Sequence, residues 1–399
     1  MANAISLELD THEIDLLIDI RHRLHRQPEL LYDLPQTSAF VEQQLNALGC
    51  DEVLTGYGEC GVVGIIRGSG GRANRIVGLR ADMDALPLVE ATEAPWASEH
   101  EGRMHACGHD GHMTMLLGAA RHLCANRDRF DGTVAVIFQP AEEGGAGAQR
   151  MLDDGLLEKV PLSEIYGMHN LPGLEIGHFA MTPGPAMASV DEIDLIVKGR
   201  GGHGAYPETT VDPLPAAAAI IHAAQTIVAR NLAPGDRAVV SLTTISGGSA
   251  FNVIPETVRL GGTVRALDPG VRDKIERRVR EIAASVADGY GCTVEINYTC
   301  HYPVMINNIE AAGHALAAGV DVAGASSVDG DHAPSLAGED FAFFLNAVPG
   351  AMIWIGNGPS AGLHNPEYDF NDAALQYGVA YWVSLVEARL PSAESRELD

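Results

Sequence analysis

The stretch MHACGHDGH brings Cys107, His109 and His112, residue types with metal-ligating chemistry, close together. Thiolate and imidazole are the ligand types zinc prefers. The Cys-x-His spacing lies in a glycine-broken stretch, which can turn both side chains toward one point. No C-x-x-C pair occurs in the chain, which argues against a closed structural zinc knuckle. Further along stand the adjacent carboxylates Glu142–Glu143, then His169, and late in the chain His364 in GLHNPEYDF. Each has an ordinary explanation when taken singly. A buried cysteine fills core, a histidine is hydrogen-bonded, and a Glu-Glu pair is surface charge. Glu142–Glu143 departs from that pattern, because it follows an apolar run and precedes Gly144–Gly145. Two neighbouring carboxylates can also take separate roles, one binding metal while the other moves protons for an activated water.

The elements that must carry these residues read as an α/β arrangement. HEIDLLIDIRHRLHRQ has apolar residues at helical spacing and is closed by Pro28. A second helix follows, with Thr37 or Ser38 as its cap and Gly49 at its end. Short β-branched runs then alternate with helical ones such as GHMTMLLGAARHLCAN, which predicts a largely parallel sheet. Three of the runs lead straight into ionisable groups. RIVGLRAD leads to Met83–Asp84, TVAVIFQP to Glu142–Glu143, and EIYGM to His169. In an open α/β sheet, ligands bind beyond the carboxyl ends of the strands, so these ends are expected to converge on one crevice.

The pattern changes near Ser189. SVDEIDLIVKGRG alternates like a strand, PLPAAAAIIHAAQTIVAR is helical, and AVVSLTTISGG and ETVRLGGTVRAL read as adjacent strands. A long amphipathic helix and the strand CTVEINYTC follow. That order, β-α-β-β-α-β, is the ferredoxin-like split pattern. Helix and strand of the first kind resume afterwards. The expected organisation is a discontinuous catalytic α/β domain, residues 1–188 and 301–399, interrupted by an α+β domain at 189–300.

Bulk composition agrees with such a protein. The 399 residues suggest two or three domains, and 46% are hydrophobic, enough for a sizeable core. A formal net charge of −27 opposes nucleic acid and anionic membrane surfaces as partners. The opening MANAISLELD has neither the basic nor the apolar part of a signal peptide, and no stretch is long and apolar enough to span a bilayer. Six scattered cysteines fit a reducing compartment. The expectation is a cytoplasmic protein.

RADMDALP, MHACGHDGHMTMLLGAA, FQPAEEGGAGA, GMHNLP, GGHGAYPE, FNVIPE, GEDFAFF and LHNPEYDF together resemble the metal-dependent aminoacylase and carboxypeptidase family. The branch they most resemble is that of hippurate hydrolase and the auxin-conjugate hydrolases. The likeness runs in order over nearly the whole chain. It implies a zinc-exopeptidase-like catalytic domain, a mixed sheet with flanking helices, and an inserted ferredoxin-like lid and dimerisation domain. It implies two divalent metal ions per subunit, Zn2+ or Mn2+, with Ni2+ or Co2+ as the other choices. It makes Cys107, His109, Glu143, His169 and His364 metal ligands, Glu142 the general base and acid, and Asp84 the carboxylate that orients a ligand. Many members of the wider family have His-x-Asp where this chain has Asp82-Met83-Asp84, and the resemblance gives the missing ligand's duty to Cys107. It further suggests that His203, in GRGGHGAYP, stabilises the oxyanion in a partner subunit's site. Asn252 and Arg265 become substrate-binding candidates, Arg265 as a two-pronged clamp for a carboxylate, with a structural salt bridge as its plain alternative. His112 reads as a supporting or helix-packing residue. His22, His25, His100, His122, His222 and His301 have no supporting context.

The implied reaction is hydrolysis of the amide bond of an N-acyl amino acid by a homodimer, with a tetramer as the alternative assembly. Deacetylation of an N-acetyl diamino acid, or dipeptide hydrolysis, would use the same residues. A catalytically silent binding protein would lack a ligand or the base, and none is lacking. A thiol-nucleophile enzyme built on Cys107 would work without metal.

Overall fold

A computed structural model of the chain describes residues 7–69 and 75–392. It divides into two compact units. A discontinuous unit comprises Met1–Gly184, Ile306–Ala333 and Phe343–Asp399, and an inserted unit comprises Pro185–Met305 and Pro334–Ala342.

In the discontinuous unit the first helix, α1 (Thr11–Arg26), starts in a reciprocal cap: the Asp10 side chain accepts from the Glu13 backbone N–H, and the Glu13 carboxylate accepts from that of Asp10. The second, α2 (Pro35–Leu48), begins earlier than its sequence suggests, and neither Thr37 nor Ser38 caps it. Proline stands in its first turn, and the N–H groups of Gln36 and Thr37 donate instead to the buried carboxylate of Glu29, at 2.8–3.2 Å. A carboxylate from outside the helix has taken the cap's place, which local sequence could not announce. Gly49, at φ 79°, ends the helix in the left-handed conformation.

Strands β1 (Glu52–Tyr57), β2 (Gly61–Arg67), β3 (Ile76–Asp82), β4 (Thr133–Gln139), β5 (Glu164–Leu171) and β6 (Phe179–Ala180), with Val328–Asp329 and Gly350–Gly356, form one mixed sheet. Its centre is parallel: β4, β3, β5 and Gly350–Gly356 lie side by side in that order. The antiparallel pair β1–β2 extends one edge. The central strands are almost wholly buried, as continuous apolar runs in a parallel sheet require. Helix α3 (His109–Ala125) packs on α1, α2 and the terminal helix Leu375–Arg389, so it is held from three sides.

Buried charge ties α1 to the first turn of α3. Arg21, fully buried, donates to Asp369 at 2.9 Å and Asp372 at 2.8 Å, and lies 3.6 Å from Asp110. His25, unremarkable in sequence, is also fully buried, with Asp110 at 2.8 Å and Glu90 at 3.3 Å. Burial opposes its imidazolium, but Asp110 and Glu90 outweigh burial and raise its pKa from 6.5 to about 9. A value raised on folding gives stability that is complete below about pH 6.5 and is lost as pH rises through about 9. The thermal midpoint should therefore fall between about pH 6 and about pH 10, and His25→Gln should flatten that fall. Equal slopes for the two proteins in a melting series would show that His25 is not the cause.

The inserted unit is a four-stranded antiparallel sheet in the order Ala238–Gly247, Thr257–Ala266, Val190–Lys198, Thr293–Tyr302. Helices Pro213–Ala224 and Pro269–Gly289 pack against it. In chain order the strands lie 2-3-1-4, the split βαβ arrangement. The unit has its own core, built around Ile193, Leu195, Ile220, Leu260 and Ile275.

Candidate metal centre

All the strand-end residues lie in the discontinuous unit. Asp82 closes β3 and pairs across to Gln139, the last residue of β4. His169 is the sixth residue of β5, inside the strand rather than beyond it, opposite Trp354. Cys107 and His109 flank Gly108, whose φ of 83° starts α3 in a left-handed turn. A side chain at Gly108 would place its Cβ 2.4 Å from Asn170 Nδ2 and 2.5 Å from Tyr368 Oη, so only glycine fits. Ala141 and His364 also hold left-handed φ values, 54° and 62°. Such conformations cost on the order of 1–3 kcal/mol and persist where their surroundings impose them. Here they aim Glu142–Glu143 and the His364 ring.

Among the groups of donor atoms that lie within 4.8 Å of one another, three overlapping ones combine the expected residues, Cys107–His109–His169, Cys107–Glu143–His364 and His109–Glu142–Glu143, and another joins Asp82, His109 and His112. Cys107 Sγ is 3.4 Å from His169 Nε2, and His364 Nε2 is 3.3 Å from Glu143 Oε1. Both inner imidazoles have their tautomer set by a backbone carbonyl. His109 Nδ1 donates to Asp84 O at 2.7 Å and His169 Nδ1 to Asn170 O at 2.8 Å. Each therefore turns an unprotonated Nε2 inward, the atom a metal needs. Asp84 acts on the carboxylate pair through the backbone: its two oxygens accept the N–H groups of Glu142 at 2.9 Å and Glu143 at 3.1 Å.

Two observations show that these residues fit a divalent cation. His109 Nε2 is buried with no hydrogen-bond partner among the described residues, and it faces Glu143 Oε1, itself within 3.3 Å of His364 Nε2, at 3.9 Å. Buried polar atoms are rarely left so. The electrostatics agree. Burial, with the charges of Glu143, Glu142 and Asp82, pushes the Cys107 thiol well up. Burial and the charge of Glu143 push Asp84 well above the usual carboxylate range. Burial next to His112 keeps His169 neutral. The pocket thus disfavours the charged thiolate and carboxylate and holds a neutral imidazole, and a cation beside them would favour the deprotonated ligand forms.

Asp82, which the sequence does not single out as a ligand, is occupied elsewhere. It accepts from Arg80 Nη1 and from His112 Nδ1, both at 2.7 Å. Burial opposes its ionisation, but His109, Arg80 and His112 hold it well below the usual range. His112 is occupied too: its Nε2 accepts the Asn170 N–H at 3.0 Å. Asn170 and Tyr368 are further site residues that sequence reasoning does not find. Asn170 lies inside the GMHNLP motif, but nothing local marks its side chain as more than a strand residue.

The remaining candidates belong to the inserted unit. His203 is exposed, its Nδ1 accepts from Ala205 N at 3.0 Å, and it pairs with Val253 in a short two-stranded ladder. That ladder continues into the bond from Gly204 N to Asn252 O at 2.8 Å, so His203 and Asn252 lie at the same end of the two paired strands. Arg265 is half-buried and donates to Thr263 Oγ1 and, at 2.9 Å, to Val264 O. Among the described residues no carboxylate lies within ion-pair distance of it, so the salt-bridge alternative has no partner there.

Residues 78–388 match the model of peptidase family M20/M25/M40. The chain belongs to this family. Within it, the chain is 41% identical to a hippurate hydrolase of Campylobacter jejuni over 92% of this chain and 94% of that one. It is 36% identical to an N-acetylcysteine deacetylase of Bacillus subtilis, over 92% and 95%. Its fold matches the crystal structure of a Bacillus subtilis dinuclear metal-binding peptidase of the M20 family with a TM-score of 0.85 at 33% identity, covering 96% of this chain and all of that one. A metal-binding hydrolase of mixed α/β fold is thereby the chain's general character. No helix among the described residues is long and apolar enough to cross a membrane.

Proposed function

We propose that this chain hydrolyses the amide bond of N-acyl amino acids, with Glu142 as general base and acid. The observation that carries the reading is the carboxylate pair: Glu143 Oε1 faces the buried, unpartnered His109 Nε2 at 3.9 Å, and Glu142 lies within the same 4.8 Å group. The hippurate hydrolase and the N-acetylcysteine deacetylase support the substrate class.

Cys107, His109, Glu143, His169 and His364 would hold two divalent ions, Zn2+ or Mn2+, with Ni2+ or Co2+ as the other choices. The ions would supply Lewis acidity toward water and toward the scissile carbonyl. Glu142 takes the proton that water releases as it adds to the carbonyl carbon, then passes it to the departing amine nitrogen. Asp84 fixes the backbone of both glutamates, so the base and its ligand neighbour keep separate directions. His203 donates to the carbonyl oxygen as negative charge builds there. Arg265 and Asn252 bind the substrate carboxylate, which the chain's net charge of −27 would otherwise repel.

In this reading the inserted unit is a lid and dimerisation domain. The catalytic domain is 1–188 with 301–399, the lid is 189–300, and the assembly is a homodimer or a pair of such dimers. His203 then serves the partner's site. A mixed dimer of His203→Ala and Glu142→Gln subunits should recover about a quarter to a half of wild-type activity, because each two-fold mixed pair keeps one complete site. Two inactive parents with no recovery would place His203 within its own subunit. The six free cysteines fit a cytoplasmic, reducing setting.

The deciding experiment is a panel of benzoyl, indole-acetyl and acetyl amino acids with metal-reconstituted protein. Turnover of at least one, abolished by chelator and restored by metal, is the expected result. Hydrolysis that survives chelation would overturn it and favour Cys107 as a nucleophile. The deacetylase relative favours a second reading, removal of acetyl from an amino acid or diamino acid, and exclusive acetyl turnover on the panel would select it.

A further inference from the structure

Asn170 makes an unusual number of bonds for a residue that no assigned role uses. It is completely buried, one residue past His169 in β5. Its backbone N–H donates to His112 Nε2 at 3.0 Å. Its backbone carbonyl accepts from His169 Nδ1 at 2.8 Å. Its side-chain Nδ2 donates to the Cys107 carbonyl at 2.7 Å, and its Oδ1 accepts from the Tyr368 hydroxyl at 2.8 Å. That last bond fixes which way the amide points. The Gly108 turn is seated directly on this amide and the Tyr368 hydroxyl.

We infer that Asn170 is the positioning residue that sets the thiolate and imidazole ligands, Cys107 and His169, in one geometry. The proposal rests on the metal-hydrolase reading above. Cys107 lies in a glycine turn outside any strand, with two soft dihedrals on either side of it. Its carbonyl is anchored by Asn170 Nδ2, and the same residue's carbonyl orients the His169 ring. Sγ and Nε2 are thus held 3.4 Å apart by one residue rather than by two independent loops. His112, oriented by Asp82, secures the Asn170 backbone from the other side. A ligand pair already held in place loses no further freedom when metal arrives, which is why outer partners of metal ligands commonly matter about 10–100-fold.

Tyr368→Phe removes only the hydroxyl that orients the amide, and Asn170→Ser removes the amide's bonds to Cys107 O, Tyr368 and His112 Nε2 while leaving both backbone bonds. Co2+ alone is the probe, read by chelator competition and by the thiolate-to-cobalt charge-transfer band in the near ultraviolet. Asn170→Ser should weaken Co2+ binding about 10–100-fold and shift or dim the band, with Tyr368→Phe intermediate. A merely structural role would instead lower the melting midpoint of the metal-free protein and leave Co2+ affinity and the band of the folded fraction as in wild type. That result overturns the proposal. If Asn170→Ser fails to fold, Tyr368→Phe decides alone, and wild-type affinity with a wild-type band overturns it equally. Wild-type protein that binds no Co2+ would sink the metal-hydrolase reading itself, a failure distinct from the first.

Discussion

Glu142→Gln should lower kcat by about 10²–10⁴-fold, the range that a positioned general base contributes, and leave metal content unchanged. The amide has nearly the shape of the carboxylate, and the Glu142 backbone N–H to Asp84 Oδ1 bond does not involve the side chain. The fold and the neighbouring Glu143 ligand should therefore survive. What is lost is the ability to take a proton from water and return it to the leaving nitrogen. KM should change little, because the substrate carboxylate and acyl group are recognised elsewhere. Elemental analysis beside steady-state kinetics separates the outcomes. A variant with near-normal turnover ends the assignment, and one that has lost metal moves Glu142 into the ligand set.

Cys107→Ala should cut metal affinity by about 100-fold or more, beyond what loss of an outer partner does. Two of the three overlapping donor groups that combine the expected residues contain Cys107, so its removal weakens both sets at once. Among the described residues there is no evident replacement. Asp82 lies close, but Arg80 and His112 already bind its oxygens. His112 has given its second nitrogen to a backbone N–H. The thiol is pushed well up by burial and surrounding carboxylates, so the thiolate needs a cation beside it. Metal uptake through Cys107 should accordingly release a proton, measurable as pH-dependent affinity that is weaker in the alanine variant. Unchanged metal stoichiometry in Cys107→Ala would refute the ligand role. Unchanged hydrolysis by metal-free wild type would revive the nucleophile alternative.

The elements are largely legible in the sequence because their signals are local. The apolar runs ending at Asp82, Gln139 and Leu171 are buried parallel strands, and such strands need continuous hydrophobic sequence. The alternating pattern after Ser189 is an antiparallel sheet with helices packed against it. The start of α2 is not legible, because its cap, Glu29, comes from outside the helix. Nor is the state of His25, because nothing in its own segment reveals Asp110 or Glu90.

For the candidate site, the sequence by itself determined the kinds of donor atom and brought their strand ends to one side of a sheet. Thiol, imidazole and carboxylate are properties of residue type, and strand ends follow from hydrophobic periodicity. Only the tertiary structure decided which atoms face inward. Backbone carbonyls of Asp84 and Asn170 select the tautomers of His109 and His169, and a carbonyl has no signature in sequence. Asp82 and His112 have ligand chemistry but are bonded to each other and to Arg80 and Asn170. Those partners lie up to 58 residues apart, so their pairing becomes visible only when the sheet is assembled.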